Sequence, residues 1–177
     1  LGHDLGHSPF GHSGESILNS ICPHGYRHYE QSLRVVDLIE KHGQGLNLTA
    51  EVRNGILCHT NRVADTKEGN VVRVADRIAY MNHDIEDAIR AGILQKEELP
   101  KDVLEVLGDT KTKRITCLVG AVVKHGSETI GMAPEIQAMH DKLHAFLFER
   151  VYYNPIAKQE ENKAKLLLET LYTYFIS

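Results

Sequence analysis

Thirteen consecutive residues near the start, His3-Asp4-Leu5-Gly6-His7-Ser8-Pro9-Phe10-Gly11-His12-Ser13-Gly14-Glu15, carry three imidazoles and two carboxylates. An adjacent His-Asp pair offers one nitrogen and one oxygen to a borderline or hard divalent ion. Such an ion lowers the pKa of bound water and polarises a phosphoryl oxygen. The dipeptide alone is weak evidence. Random placement of 11 His and 9 Asp yields roughly half an occurrence, and the chain has three: His3-Asp4, His83-Asp84 and His140-Asp141. Context separates them. Only His3-Asp4 is followed at once by further ligand-type side chains, set among small turn-forming residues that let backbone and substrate approach closely. His140-Asp141 lies in an amphipathic stretch with no other such cluster and is expected at the surface. The lone histidines His42, His59, His125 and His144 are expected to be satisfied or exposed rather than ligands. Gly2, Gly6, Gly11 and Gly14 match neither a Walker A nor a GxGxxG pattern, so no P-loop is implied.

The elements that must position these groups read as helices. Alternating β-branched runs are lacking, and apolar residues recur at helical spacing between Gly- and Pro-containing breaks. The spacing predicts helices over 13–21, 27–42, 49–59, 69–92, 101–107, 111–125, 134–153 and 156–175, an all-α domain. In the segment 71–89, Val71, Val74, Ala75, Ile78, Met81, Ile85, Ala88 and Ile89 are expected on one face. Arg73, Asp76, Tyr80, His83, Asp84 and Asp87 gather on the other, with Arg77 at its edge. A solvated polar face is the ordinary meaning of such a stripe. The tyrosine within it, and the ligand-rich run upstream, favour a functional one.

Composition narrows the class. With 177 residues and 42% hydrophobic content the chain can bury a core, as one domain or a domain with an extension. A net charge of −4 gives no broad basic surface, so nucleic acid is not indicated, though a local basic pocket for phosphates stays open. Cys22, Cys58 and Cys117 are odd in number and far apart, which argues against a disulfide framework and fits a reducing, cytoplasmic setting. No apolar run approaches the ~18 residues of a membrane span.

Several ordered motifs now converge. His-Asp-Leu-Gly-His-x-Pro-Phe-Gly-His-x-Gly-Glu over residues 3–15 resembles the signature of the HD-domain dGTP triphosphohydrolase family. His28-Tyr29-Glu30-Gln31-Ser32-Leu33-Arg34 resembles that family's His-Asn-x-Gln-Ser-Leu-Arg stretch, with Tyr29 in place of Asn. Ala75-Asp76-Arg77-Ile78-Ala79-Tyr80 and His83-Asp84 resemble its later Asp-containing helix. The likeness runs on through Glu51-Val52-Arg53 and Gly55-Ile56-Leu57, and more weakly into Phe146 to Tyr152.

The resemblance implies an HD-domain helical fold, with residues 1–95 as catalytic core and 96–177 as a helical extension. It implies hydrolysis of a deoxynucleoside triphosphate to deoxynucleoside and inorganic triphosphate. His3, Asp4 and Asp76 match the metal ligands, for Mn, Fe or Mg, with zinc also compatible. The family's first histidine ligand lies upstream of the doublet and has no counterpart in this sequence, which begins too late: either that helix belongs to a longer chain or the site is incomplete. His12 matches a catalytic histidine, with Glu15 as its expected carboxylate partner, and His28 matches another active-site histidine. His7 and Arg77 match phosphate contacts, and Tyr80 and Asp84 match positions that recognise the deoxyribose. A homo-oligomer with nucleotide effectors is also implied. The rivals are another HD phosphohydrolase, such as a phosphodiesterase or 5′-nucleotidase, and a catalytically silent nucleotide-binding module.

Overall fold

Apolar residues at helical spacing become helices throughout the computed structural model, which describes the backbone of residues 2–176 and the side chains of those outside 155–161; no strand occurs among the described residues. The helices are α1 (Gly11–Ile21), α2 (His28–Arg34), the short α3 (Glu40–Gly43), α4 (Ala50–Cys58), α5 (Lys67–Arg90), α6 (Lys101–Leu107), α7 (Lys111–His125), α8 (Pro134–Leu147) and α9 (Pro155–Ile176). The all-α expectation is met. No helix among the described residues is long and apolar enough to cross a membrane.

The chain divides into two compact units, residues 1–70 with 159–177, and residues 71–158. In the first, α2 packs against α4. The single helix expected over 27–42 is broken. A π-turn, Val35–Ile39, follows α2, and Lys41 and His42 take left-handed backbone angles. Tertiary contacts explain the break. Val36 is buried, and its carbonyl accepts from the Leu46 N–H at 2.7 Å. Asp37 meets the Arg53 guanidinium of α4 in a bidentate pair, at 3.0 Å to Nε and 2.7 Å to Nη2. A regular helix would not bring the chain back on itself in this way.

In the second unit, α6 packs against α8 and α7. Its core joins Ile78, Met81, Ile85 and Ala88 of α5 to Leu94, Leu99, Val103, Leu107, Leu118, Leu143, Leu147 and Val151. Two members of the apolar face expected on α5 fall outside it: Val71 and Ala75 are exposed. They lie toward the edge of the buried stripe on the side of Asn82. Asn82 is wholly buried and satisfies its polar atoms locally, donating to the Ile78 carbonyl at 2.8 Å and accepting from Arg114 Nε at 2.8 Å. The helix expected over 134–153 also changes character, passing into a π-turn at Phe148–Tyr152.

Candidate metal centre and its histidine network

The loop carrying the His-Asp doublet is held by close backbone contact. A Cβ on Gly6 would lie 2.2 Å from the Ser32 nitrogen and 2.6 Å from the His28 carbonyl oxygen, so only glycine lets the loop sit on the start of α2. The Gly6 N–H donates to Ser32 Oγ at 2.9 Å, and its carbonyl accepts from the Tyr26 hydroxyl at 2.6 Å. Gly14 likewise permits a close approach in the first turn of α1, where a Cβ would fall 1.8 Å from the Pro9 carbonyl oxygen. These contacts bring the ligand-bearing loop against residues 28 and 59, far away in sequence.

Five imidazoles gather there. His3, Asp4 and His59 each place a ligand atom within 4.8 Å of the others. His3 Nε2 is 3.7 Å from Asp4 Oδ2, and His59 Nε2 is 3.4 Å from Asp4 Oδ1. His28 Nε2 lies 3.2 Å from His59 Nε2 and 3.8 Å from Asp4 Oδ1. The His7 ring is centred 5.4 Å from His28 and 6.5 Å from His12. Imidazole and carboxylate are the donor set of a borderline divalent ion, so these residues fit the metal that the sequence implies.

The electrostatics agree. Asp4 is held ionised: a hydrogen bond from His59 lowers its pKa from 3.8 to about 2, with partial burial opposing and the neighbouring imidazoles helping. His28 and His59 are buried, while Asp4, His7 and His12 are exposed and open to a ligand. His7 Nδ1 donates to the Ser8 carbonyl at 3.2 Å, which orients its ring.

Two expectations are corrected here. Glu15 does not serve His12. One of its carboxylate oxygens accepts from His28 Nδ1, and the other faces Arg27 at 3.6 Å. One helical turn separates Glu15 from His12 in sequence, but α2 starts directly under the Glu15 carboxylate and captures it, the His28 N–H approaching it as well. His59, expected to be an ordinary lone histidine, is 2% exposed and points into the cluster from just past the end of α4. Its Nδ1 donates to the Ile56 carbonyl at 2.7 Å, so the helix end itself fixes the ring. The only hint in the sequence is a polar pair, His59-Thr60, closing the apolar run Ile56-Leu57-Cys58.

Asp76, Arg77, Tyr80 and Asp84 belong to the second unit, along one side of α5. All four are partly buried. Tyr80 packs against the core, 6.5 Å from the His144 ring, and burial pushes its phenol upward, Arg77 acting against that. Asp84 accepts a hydrogen bond from the Tyr152 hydroxyl in the π-turn, and burial followed by this carboxylate drives the Tyr152 pKa strongly up. Phe148 meets the His144 ring at a tilt, 4.8 Å between centroids, and the Tyr152 ring edge to face at 5.0 Å. In the third doublet, Asp141 is exposed as expected but His140 is 1% exposed, the reverse of the surface position expected for it. It sits in register with Leu143 and Leu147 on the buried side of α8, and burial lowers its pKa.

A helical scaffold presenting a His-Asp doublet, with further imidazoles gathered round it, defines the class of HD-domain phosphohydrolases. The HD domain family matches residues 1–81, and the phosphohydrolase-associated domain family matches residues 130–177. A "deoxyguanosinetriphosphate triphosphohydrolase-like protein" of Caldanaerobacter subterraneus subsp. tengcongensis is 52% identical over 99% of this chain and 52% of its own length. Relatives of the same description from Clostridium perfringens and Thiobacillus denitrificans are 46% and 32% identical, with 55% and 62% of their lengths covered. The chain belongs to this HD-domain, dGTP triphosphohydrolase-like family. It spans about half the length of the curated relatives it matches.

Proposed function

We propose that the protein hydrolyses deoxynucleoside triphosphates at the α-phosphate, releasing deoxynucleoside and inorganic triphosphate. The observation that carries this reading is the convergence of His3, Asp4 and His59 beside three more imidazoles, two of them exposed, within a chain whose relatives are described as dGTP triphosphohydrolase-like. His3 and Asp4, with Asp76 as the third ligand, hold a divalent ion, for which manganese, iron and magnesium are the candidates and zinc is also compatible. When bound, such an ion polarises the phosphoryl oxygen and acidifies a water.

The chain's own residues supply the rest. His7 and Arg77 bind phosphate oxygens and offset their charge. His12, exposed on the first turn of α1, moves a proton at the scissile phosphate. Glu15 holds His28 with Nδ1 protonated and Nε2 turned to the reacting end. Tyr80 forms an aromatic wall for the sugar, and Asp84 accepts from its 3′-hydroxyl in competition with Tyr152. The working enzyme is a cytoplasmic homo-oligomer that responds to nucleotide effectors.

The test is purified full-length protein with manganese and each of the four deoxynucleoside triphosphates. Inorganic triphosphate should appear in step with deoxynucleoside. Release of single phosphates would overturn the reading in favour of another HD phosphohydrolase. Nucleotide binding without turnover would leave a regulatory module.

A further inference from the structure

We infer that His140 is a positioning residue for Arg77: its buried imidazole offers the acceptor that fixes the Arg77 guanidinium on a bound phosphate, so the phosphate pocket is built from α8 as well as α5. The inference rests on Arg77 as a phosphate contact in the function proposed above. It concerns binding alone, so its test is separate from that of the reaction.

An uncommitted buried nitrogen is the first argument. His140 is 1% exposed, on the side of α8 that carries Leu143 and Leu147 into the core. Its Nδ1 lies 3.1 Å from Asp141 Oδ1. A carboxylate only accepts, so Nδ1 carries the proton in that bond. Burial keeps the ring neutral, lowering its pKa below the ordinary histidine value against the pull of Asp141, and the Arg77 charge adds to the lowering. Nε2 is therefore a lone pair, and it is buried with no partner among the described residues. Native interiors rarely leave such an atom unmet. Leucine at this position would continue the apolar stripe and orphan nothing, so packing does not call for histidine.

Register is the second. The Tyr80 and His144 rings lie 6.5 Å apart between centroids. Further along both elements, Asp84 accepts from the Tyr152 hydroxyl. The two pairs advance in the same direction, so α5 and the α8 segment run side by side, and one turn earlier Arg77 falls opposite His140. The Arg77 charge bears on both His140 and His144, as that register requires. From the other side α6 packs on α8, turning Val103 and Leu107 into the core and pairing Asp102 with Lys142 at the surface. Arg77 is then the cation placed to donate to Nε2.

The guanidinium suits both tasks. It carries five N–H donors in a rigid fork, so one edge can hold a phosphate while another N–H meets an imidazole. Arg77 here bears on the Tyr80 phenol. The bond to Nε2 belongs to its phosphate-bound setting, where an acceptor tied to α8 through Asp141 limits the freedom of a long side chain.

Binding of inorganic triphosphate to the full-length protein, followed by calorimetry, tests this. His140→Leu should weaken it about ten-fold or more. Deoxynucleoside binding should hold, and the thermal midpoint should hold or rise, since an orphaned acceptor leaves the core. His140→Gln carries an acceptor close to the Nε2 position and should restore most of the affinity. In an Arg77→Gln background, His140→Leu should have no further effect. In the wild type, nitrogen NMR should show the His140 Nε2 as a free lone pair that becomes a hydrogen-bond acceptor when triphosphate is added. Wild-type affinity in a folded His140→Leu protein would overturn the inference. So would an equal loss of deoxynucleoside binding, an equal loss in the Arg77→Gln background, a His140→Gln protein no better than His140→Leu, or a wild type that binds no triphosphate. If His140→Leu unfolds, the NMR decides: an Nε2 signal that triphosphate leaves unchanged overturns the inference, whether that nitrogen is free or already bonded to a buried water. Turnover is scored separately. Coupling of His140 to Arg77 without turnover sinks the proposed reaction and leaves the inference standing, and turnover without the coupling does the reverse.

Discussion

Replacing Glu15 with Gln isolates the contact that organises the histidine network. The Glu15 and His28 side chains are only 13% and 8% exposed, and the carboxylate accepts from the imidazole Nδ1. A hydrogen bond to a charged partner in such surroundings contributes about 1.5–3 kcal/mol. Glutamine keeps the shape and an acceptor oxygen, so some of that survives, and the loss should be about 1–2 kcal/mol. For a chain of this length that lowers the thermal midpoint by roughly 2–8 °C. Arg27 also loses its partner, but at 48% exposure its ion pair contributes little. Glu15→Ala should cost more than Glu15→Gln, because it strands a buried ring N–H. Calorimetry gives the midpoints, and nitrogen NMR of the imidazoles reads the tautomer: His28 should carry its proton on Nδ1 in the wild type. If both variants melt with the wild type and the His28 nitrogen shifts do not move, the pairing on which this reasoning rests is absent.

Other consequences are simpler. Gly6→Ala must push the doublet loop off α2, since its Cβ would meet backbone rather than a movable side chain, and it should cost about 1–3 kcal/mol in urea unfolding together with metal affinity. Asp4 has its folded pKa depressed to about 2 from 3.8, so its contribution is complete above pH 4 and is lost as pH falls through that window; with 46% of the side chain exposed, screening should leave on the order of 1 kcal/mol, and Asp4→Asn should flatten the stability curve there. Tyr152 has its folded pKa raised, so its contribution is intact below the ordinary phenol value near pH 10 and is lost as pH climbs past it; Tyr152→Phe should remove that alkaline dependence and cost about 1–2 kcal/mol at neutral pH through loss of the charge-assisted hydrogen bond to Asp84, measured by denaturation across pH.

Periodicity makes the helices legible because each buries one stripe: Ile78, Met81, Ile85 and Ala88 are where a 3.6-residue repeat puts them. It fails where tertiary contacts override local preference. The break after Arg34 depends on Asp37 meeting Arg53, sixteen residues on, and on Val36 entering the core, and neither is visible locally. The doublet loop can be read because its side chains are contiguous. His59 cannot, because nothing near it in sequence is a ligand and only the packing of α4 against α2 brings it to Asp4. Charge proximity along the chain suggests Glu15 for His12, yet the carboxylate goes to the side chain that arrives across the helix interface. At His140 the aspartate neighbour misleads. The run His140, Leu143, Leu147, Val151 already places it on a buried face.

The central claim is that an ion held by the opening doublet supports attack on the α-phosphorus. Hydrolysis of a deoxynucleoside triphosphate in isotopically heavy-oxygen water, with manganese and the full-length protein, tests it most directly. Attack at that phosphorus breaks its bond to the 5′ oxygen, so the heavy atom should appear in the released triphosphate and be absent from the deoxynucleoside. Heavy oxygen in the deoxynucleoside, or in a released monophosphate or diphosphate, would contradict the account.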